Sequence, residues 1–158
     1  MKQELIRDFN LRITNANRTG LVVIKYDIFA VYAEDAMAAL EAGDGDELKR
    51  EIHRAAMVLT SFEQALDFKY DLSRDLYNAY QFCSKQLYKA LSLRKKEYIE
   101  NALRVMNGLR DAFAKIAETD DSPVLMQNSE QITAGMTYGK GALYEGSIST
   151  ESNRGFWA

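Results

Sequence analysis

At 158 residues with 47% hydrophobic and 27% charged residues, the chain has the length and composition of one soluble globular domain, able to bury a core without staples. A net charge of -3 offers no basic field for nucleic acid, and a single cysteine, Cys83, excludes an intramolecular disulfide or a thiolate metal cluster. The charged start MKQELIRDF is unlike a signal peptide, and no run nears the ~18 apolar residues of a membrane span; both point to the cytoplasm.

Residues 2–13 predict a short amphipathic helix with Leu5, Phe9 and Ile13 on one side, too short to be stable without docking. After TNANRTG, with Asn17 as N-cap, a long helix is expected over 17–42. Its apolar surface is wider than one core requires. Asp27, Glu34 and Glu41 form a narrow polar line; Ile24, Val31 and Ala38 lie to one side of it, and Leu21, Val22, Tyr26, Phe29, Tyr32, Ala33, Ala36 and Leu40 to the other. Such a helix is either central or carries a second groove for a partner.

Gly43 suits the left-handed position after this helix, and Asp44 with Glu47 has capping-box spacing for the next. That helix puts Leu48, Ile52, Ala55, Leu59, Phe62 and Leu66 on one face. A break near 69–71 leads to a third, with Leu72, Leu76, Ala79, Tyr80, Cys83, Leu87 and Leu91 toward the core. Tyr77 and Tyr88 fall just beyond that face and Phe82 on the opposite flank, so this helix too has apolar surface to spare. Arg94, Lys95 and Lys96 suit the carbonyl end of its dipole. The fourth helix, 97–117, has one broad stripe of Tyr98, Ile99, Ala102, Leu103, Val105, Met106, Leu109, Ala112, Phe113 and Ile116, interrupted by Gly108. Short connections predict an all-α, antiparallel up-and-down four-helix bundle over 15–118, preceded by the segment 1–14.

From 119 the character changes. Residues 1–118 balance 18 Lys and Arg against 18 Asp and Glu, whereas the remainder carries 2 against 5. ETDDSP holds the only proline, Pro123, and reads as a domain edge; one more short helix is expected at 124–134. Five of the nine glycines lie from 135 onward, predicting a flexible tail. The tail closes on Gly155, Phe156, Trp157 and Ala158, either an incidental end or a linear docking segment.

Catalytic constellations are missing. His53 is the single histidine, off its helix's core face, and position 50 is Arg where a di-iron Glu-x-x-His pair needs Glu. Cys83 is on a core stripe, where thiols are inert, so a Cys83–His53 dyad is disfavoured. No phosphate loop or nucleophile elbow occurs. The expectation is a non-enzyme without metal or cofactor.

Three motifs carry a resemblance. NANRTGLVVIKYDIFAVYAEDAMAAL is similar to the first long helix of the flagellar secretion chaperone family FliS, which opens Thr-Ala-Ser-Pro-Glu-Glu-Leu and continues to Leu-Tyr-Asp-Gly. Asn17 stands at the capping Ser, Leu21 at the Leu, and Tyr26-Asp27 at the Tyr-Asp. DLYNAYQF resembles Leu-Tyr-x-Leu-Tyr-x-Tyr through Leu76, Tyr77, Tyr80 and Phe82; Leu109-Arg110-Asp111-Ala112-Phe113 resembles Leu-Arg-Glu-x-Trp. The departures are Arg18 for proline, Gly20 for an acid, Lys25 for an apolar residue and Ile28 for a small one, with Phe9 the nearest substitute for the N-terminal tyrosines. The tail lies outside the likeness.

The resemblance implies a cytoplasmic export chaperone that binds the C-terminal segment of flagellin around its bundle, prevents premature polymerisation and aids delivery to the type III export gate. Leu21, Ile24, Ile28 and Val31 with Tyr77, Phe82 and Tyr88 are then groove candidates, core packing being the alternative for each. Leu5, Phe9 and Ile13 would cover the groove and contact the export apparatus. The competing expectation is a structural or regulatory bundle that homodimerises through the same spare face. A monomer or weak homodimer is expected, with no nucleic acid and no membrane insertion.

Overall fold

The computed structural model describes residues 1–126, and among these described residues five helices are formed: α1 (Gln3–Thr14), α2 (Arg18–Glu41), α3 (Gly45–Gln64), α4 (Asp71–Leu93) and α5 (Glu97–Glu118). Of the expected helix at 124–134 only Leu125 and Met126 are described as helical; its remainder from residue 127 and the Phe156-Trp157 end lie outside the described residues.

The helix boundaries follow local chemistry. The Asn17 side chain accepts from the Gly20 amide at 2.8 Å, capping α2, and Asp44 accepts from the Glu47 amide at 2.9 Å, capping α3. Between them Gly43 has φ 72°, and the Asp44 amide reaches back to the Ala39 carbonyl at 2.9 Å. Together with the Gly43 amide on the Leu40 carbonyl, this is a Schellman closure, in which the left-handed residue is one without a Cβ.

α2, α3, α4 and α5 close a ring in which each touches its two sequence neighbours and α5 returns to α2. Polar pairs fix the sense of the return. Glu41 at the end of α2 meets Lys96 before α5, Asp27 meets Arg110, and Asn17 meets Asp120 beyond α5. α2 and α5 are therefore antiparallel, as the expected up-and-down topology requires. α2 and α4 stand diagonally across the ring, and α1 packs on α2. α2 thus has three helical neighbours, which accounts for its near-uniform apolarity.

One aromatic from each ring helix meets in a single layer. Tyr26 stacks on Phe62 at 4.4 Å and on Phe113 at 5.6 Å, and Phe62 stacks on Tyr80 at 5.2 Å. The hydroxyls of Tyr26 and Tyr80 share a 2.7 Å hydrogen bond across the diagonal, so neither buried oxygen is left unpaired. Burial raises the pKa of both phenols and keeps them neutral. Lys25, which departs from an apolar position, sets its ammonium 4.5 Å from the Phe62 ring centre. Burial lowers its pKa.

Three expected core positions are exposed. Leu72 lies in the first turn of α4, 62% exposed at the end of the ring where no helix faces it. Near the end of α5, Ala112 and Ile116 point outward, while Ala114 and Ala117 turn to the cleft beside α2. Conversely, Glu51 is fully buried, held by Arg54 at 2.6 Å from one carboxylate oxygen. Cys83 is buried as expected, its thiol 3.7 Å from the Ala102 carbonyl and its pKa pushed up to about 12 by burial. His53 is exposed.

Candidate functional site

The spacing of Leu21, Ile24, Ile28 and Val31 makes one stripe along α2, and the fold turns that stripe away from the aromatic core toward α1. Phe9, Ala16 and Ile24 are the buried centre of this second cluster, with Ile13, Leu21, Ile28 and Val31 packed around them. Ile28, where the family pattern has a small residue, fills the space beneath Phe9's helix. Of the three expected covering residues, Phe9 is buried and Ile13 half-buried, but Leu5 sits at the margin, 37% exposed. A four-residue step drifts around a helix by about 40° per step, so Leu5, Phe9 and Ile13 cannot all face one narrow stripe. Ala38, the far end of the expected line, is exposed beyond α1.

Two polar clamps hold α1 in place. Asp27 accepts from the Arg12 guanidinium of α1 and, with its other oxygen, from Arg110 Nε of α5 at 2.9 Å. That hydrogen bond and the carboxylate's charge raise the pKa of Arg110. The second clamp closes on the turn between α1 and α2. Asn17 Nδ2 donates to the Asp120 carbonyl at 2.9 Å, Thr19 donates to the Asp120 carboxylate, and the Leu125 amide donates to the Ala16 carbonyl at 3.1 Å. α2 has no acid in its own first turn. Asp120 places a negative charge there from the far end of the described chain, where the helix dipole favours one.

Hydrogen bonds from Ser122 and then Thr19 lower the Asp120 pKa to about 2. A carboxyl whose folded pKa is depressed contributes stability above its unfolded value and loses it as pH falls through the folded one. Acid titration of Asp120→Asn against the parent, followed by circular dichroism, should therefore show a gap in stability at neutral pH that closes between about pH 4 and pH 2. Parallel acid-unfolding curves would contradict this role.

A cleft of about 520 Å³ stays open beside α1, lined by Gly20, Val23 and Ile24 of α2 and Ala114 and Ala117 of α5, with Arg12 at its rim. Small side chains on both helices leave the space. The stripe is thus covered by α1 but flanked by accessible apolar surface.

Tyr77, Phe82 and Tyr88 are all exposed on α4, across the ring from the α2 stripe, so the seven groove candidates do not line one trough. Tyr77 packs edge-on against Phe68 of the α3–α4 connection, with ring centres 5.8 Å apart. Tyr88 lines a separate groove on the outer face of α4. Sequence reading missed Arg12, Arg110 and Asp120. Their partners are distant in the chain, and no spacing rule within one helix reveals them.

Among the described residues no three His, Cys, Asp or Glu side chains gather as a metal site, and no helix is long and apolar enough to cross a membrane. A ring of four helices whose spare apolar stripe is strapped under a fifth defines an all-α bundle with a covered apolar face. The family model for flagellar protein FliS matches residues 1–120, and the chain belongs to that family. FliS proteins are flagellar export chaperones rather than enzymes and bind flagellar proteins. A search of curated proteins finds no match to the chain.

Proposed function

We propose that this chain acts in the cytoplasm, where it holds the C-terminal segment of flagellin, keeps it from polymerising early and hands it to the flagellar export gate. The observation that carries this reading is the α2 stripe. Leu21, Ile24, Ile28 and Val31 are apolar, lie apart from the main core, and are covered by a short helix that packs on α2. α1 in isolation is marginal at its length, so its cover can lift. A client segment then takes the stripe and the adjoining cleft, in the manner of an amphipathic chain in a groove. A client long enough to continue around the bundle meets Tyr77 and Phe82 on α4. The displaced Leu5, Phe9 and Ile13 become available to the export apparatus.

Ordering a disordered client costs about 2–5 kcal/mol, which apolar burial must exceed. Calorimetry with a peptide from the C-terminal end of the same organism's flagellin should show binding with a negative heat-capacity change. A concentration-dependent dimer that ignores the peptide would sink this reading in favour of a self-associating bundle.

A further inference from the structure

We propose that the outer face of α4 from Ser84 to Leu93 docks an acidic amphipathic segment of a partner protein, at a site separate from the α2 stripe. Between Leu76 and Lys96 the chain contains no Asp or Glu. Lys85, Lys89, Arg94, Lys95 and Lys96 fall within that span. Lys96 is engaged with Glu41 and Glu100, whereas among the described residues Lys85 and Lys89 make no ion pair. The Lys89 ammonium lies 5.9 Å from the Tyr98 ring centre.

Between these two lysines runs a groove of about 500 Å³, lined by Ser84, Lys85, Tyr88, Lys89, Ser92 and Leu93. Its apolar members are unusually open, Tyr88 at 49% and Leu93 at 54% exposure. Ser92 turns its hydroxyl to the Tyr88 carbonyl at 3.0 Å, so apart from the Ser84 hydroxyl the polar character left to a partner is cationic. An aromatic and an aliphatic anchor bordered by unpaired cations is the anatomy of a recognition site for a helix with an apolar stripe and acidic flanks.

Charge also decides the kind of partner. The chain as a whole carries -3, so a long polyanion or a charged bilayer meets net repulsion away from this face. A short peptide contacts the face alone, within roughly the 10 Å Debye length at 0.1 M salt. Because α4 is diagonal to α2 and α1 packs on α2, both surfaces can be occupied together. This assignment takes Tyr88 out of the client surface and gives it to a second partner.

The test titrates the full chain with a fluorescent peptide of about four helical turns, Leu at helical stripe spacing and Glu elsewhere. Binding should weaken as salt is raised. It should fall about tenfold or more in Lys85→Glu with Lys89→Glu, a like-charge clash, and similarly in Tyr88→Ala. Ile24→Asp should leave it unchanged. Equal binding by these α4 variants, or equal binding of the same peptide with Gln for Glu, would overturn the proposal. So would tighter, equally variant-sensitive binding of oligo-dT or phosphatidylglycerol vesicles, which would make the occupant a nucleic acid or a membrane.

Discussion

Phe62→Ala is expected to cost about 3–5 kcal/mol of stability, the range for removing a buried aromatic, and to lower the melting temperature by about 10 °C or more. Phe62 is the ring on which two others depend, stacked between Tyr26 and Tyr80. It also carries the Lys25 ammonium, so its loss leaves a half-buried cation facing a cavity. Tyr80→Phe separates the two contributions of the layer. It keeps the stack but strands the Tyr26 hydroxyl, and should cost only about 1–3 kcal/mol, the penalty for one unpaired buried polar group. Thermal unfolding of both variants checks the order. If Tyr80→Phe proved the costlier, the diagonal hydroxyl pair and not the stacking would be holding the four helices in register.

The second large effect concerns the α2 stripe and has opposite signs in two variants. Ile24→Asp with Val31→Asp should reduce affinity for the flagellin peptide by about a hundredfold or more, since two carboxylates would be desolvated under the client. The helical spectrum should drop by no more than α1's share, because these side chains belong to the α1–α2 cluster and not to the aromatic core. Phe9→Ala removes the anchor of the covering helix. It should tighten client binding by about tenfold, as the fraction of molecules with the stripe uncovered rises. Titrations of the two variants side by side check this. A collapse of the whole spectrum in the double variant would assign the stripe to the core, and unchanged affinities would move the client elsewhere.

Much of this fold was legible because its signals are short in range. Asn17, Gly43 and Asp44 act within a turn of their own position: Asn17 and Asp44 cap as expected and Gly43 takes the left-handed position, although Glu47 does not return the capping-box bond because the Asp44 amide closes on Ala39. The excess apolarity of α2 was also visible, although a linear sequence offers two explanations for it. The fold makes α2 the helix with the most neighbours, with α3 and α5 covering one side and α1 the other. What escaped depends on where the ring ends and how it closes. Leu72 and Ile116 keep the right periodicity but reach past their partners, so the pattern persists where burial has stopped. Glu51 stands on the core stripe of α3, three residues after Leu48 and four before Ala55, but its carboxylate argued for solvent; Arg54 of the same helix gives it a partner where it is buried. Tyr77, Phe82 and Tyr88 lie on a different face from the α2 residues because a closed ring puts α2 and α4 on opposite corners, something no single helix encodes.

The bonds from Asp120 and Leu125 to the foot of α2 imply that the last turn of α5 is a poor place to cut. An expression boundary chosen at residue 118 would look safe on helix ends alone, yet would take away the anion seated at α2's amino end and unpin the turn that joins α1 to α2. Fragments meant to report on client capture should therefore retain the run through Leu125. Otherwise a lid loosened by the scissors will be mistaken for one that nature left ajar.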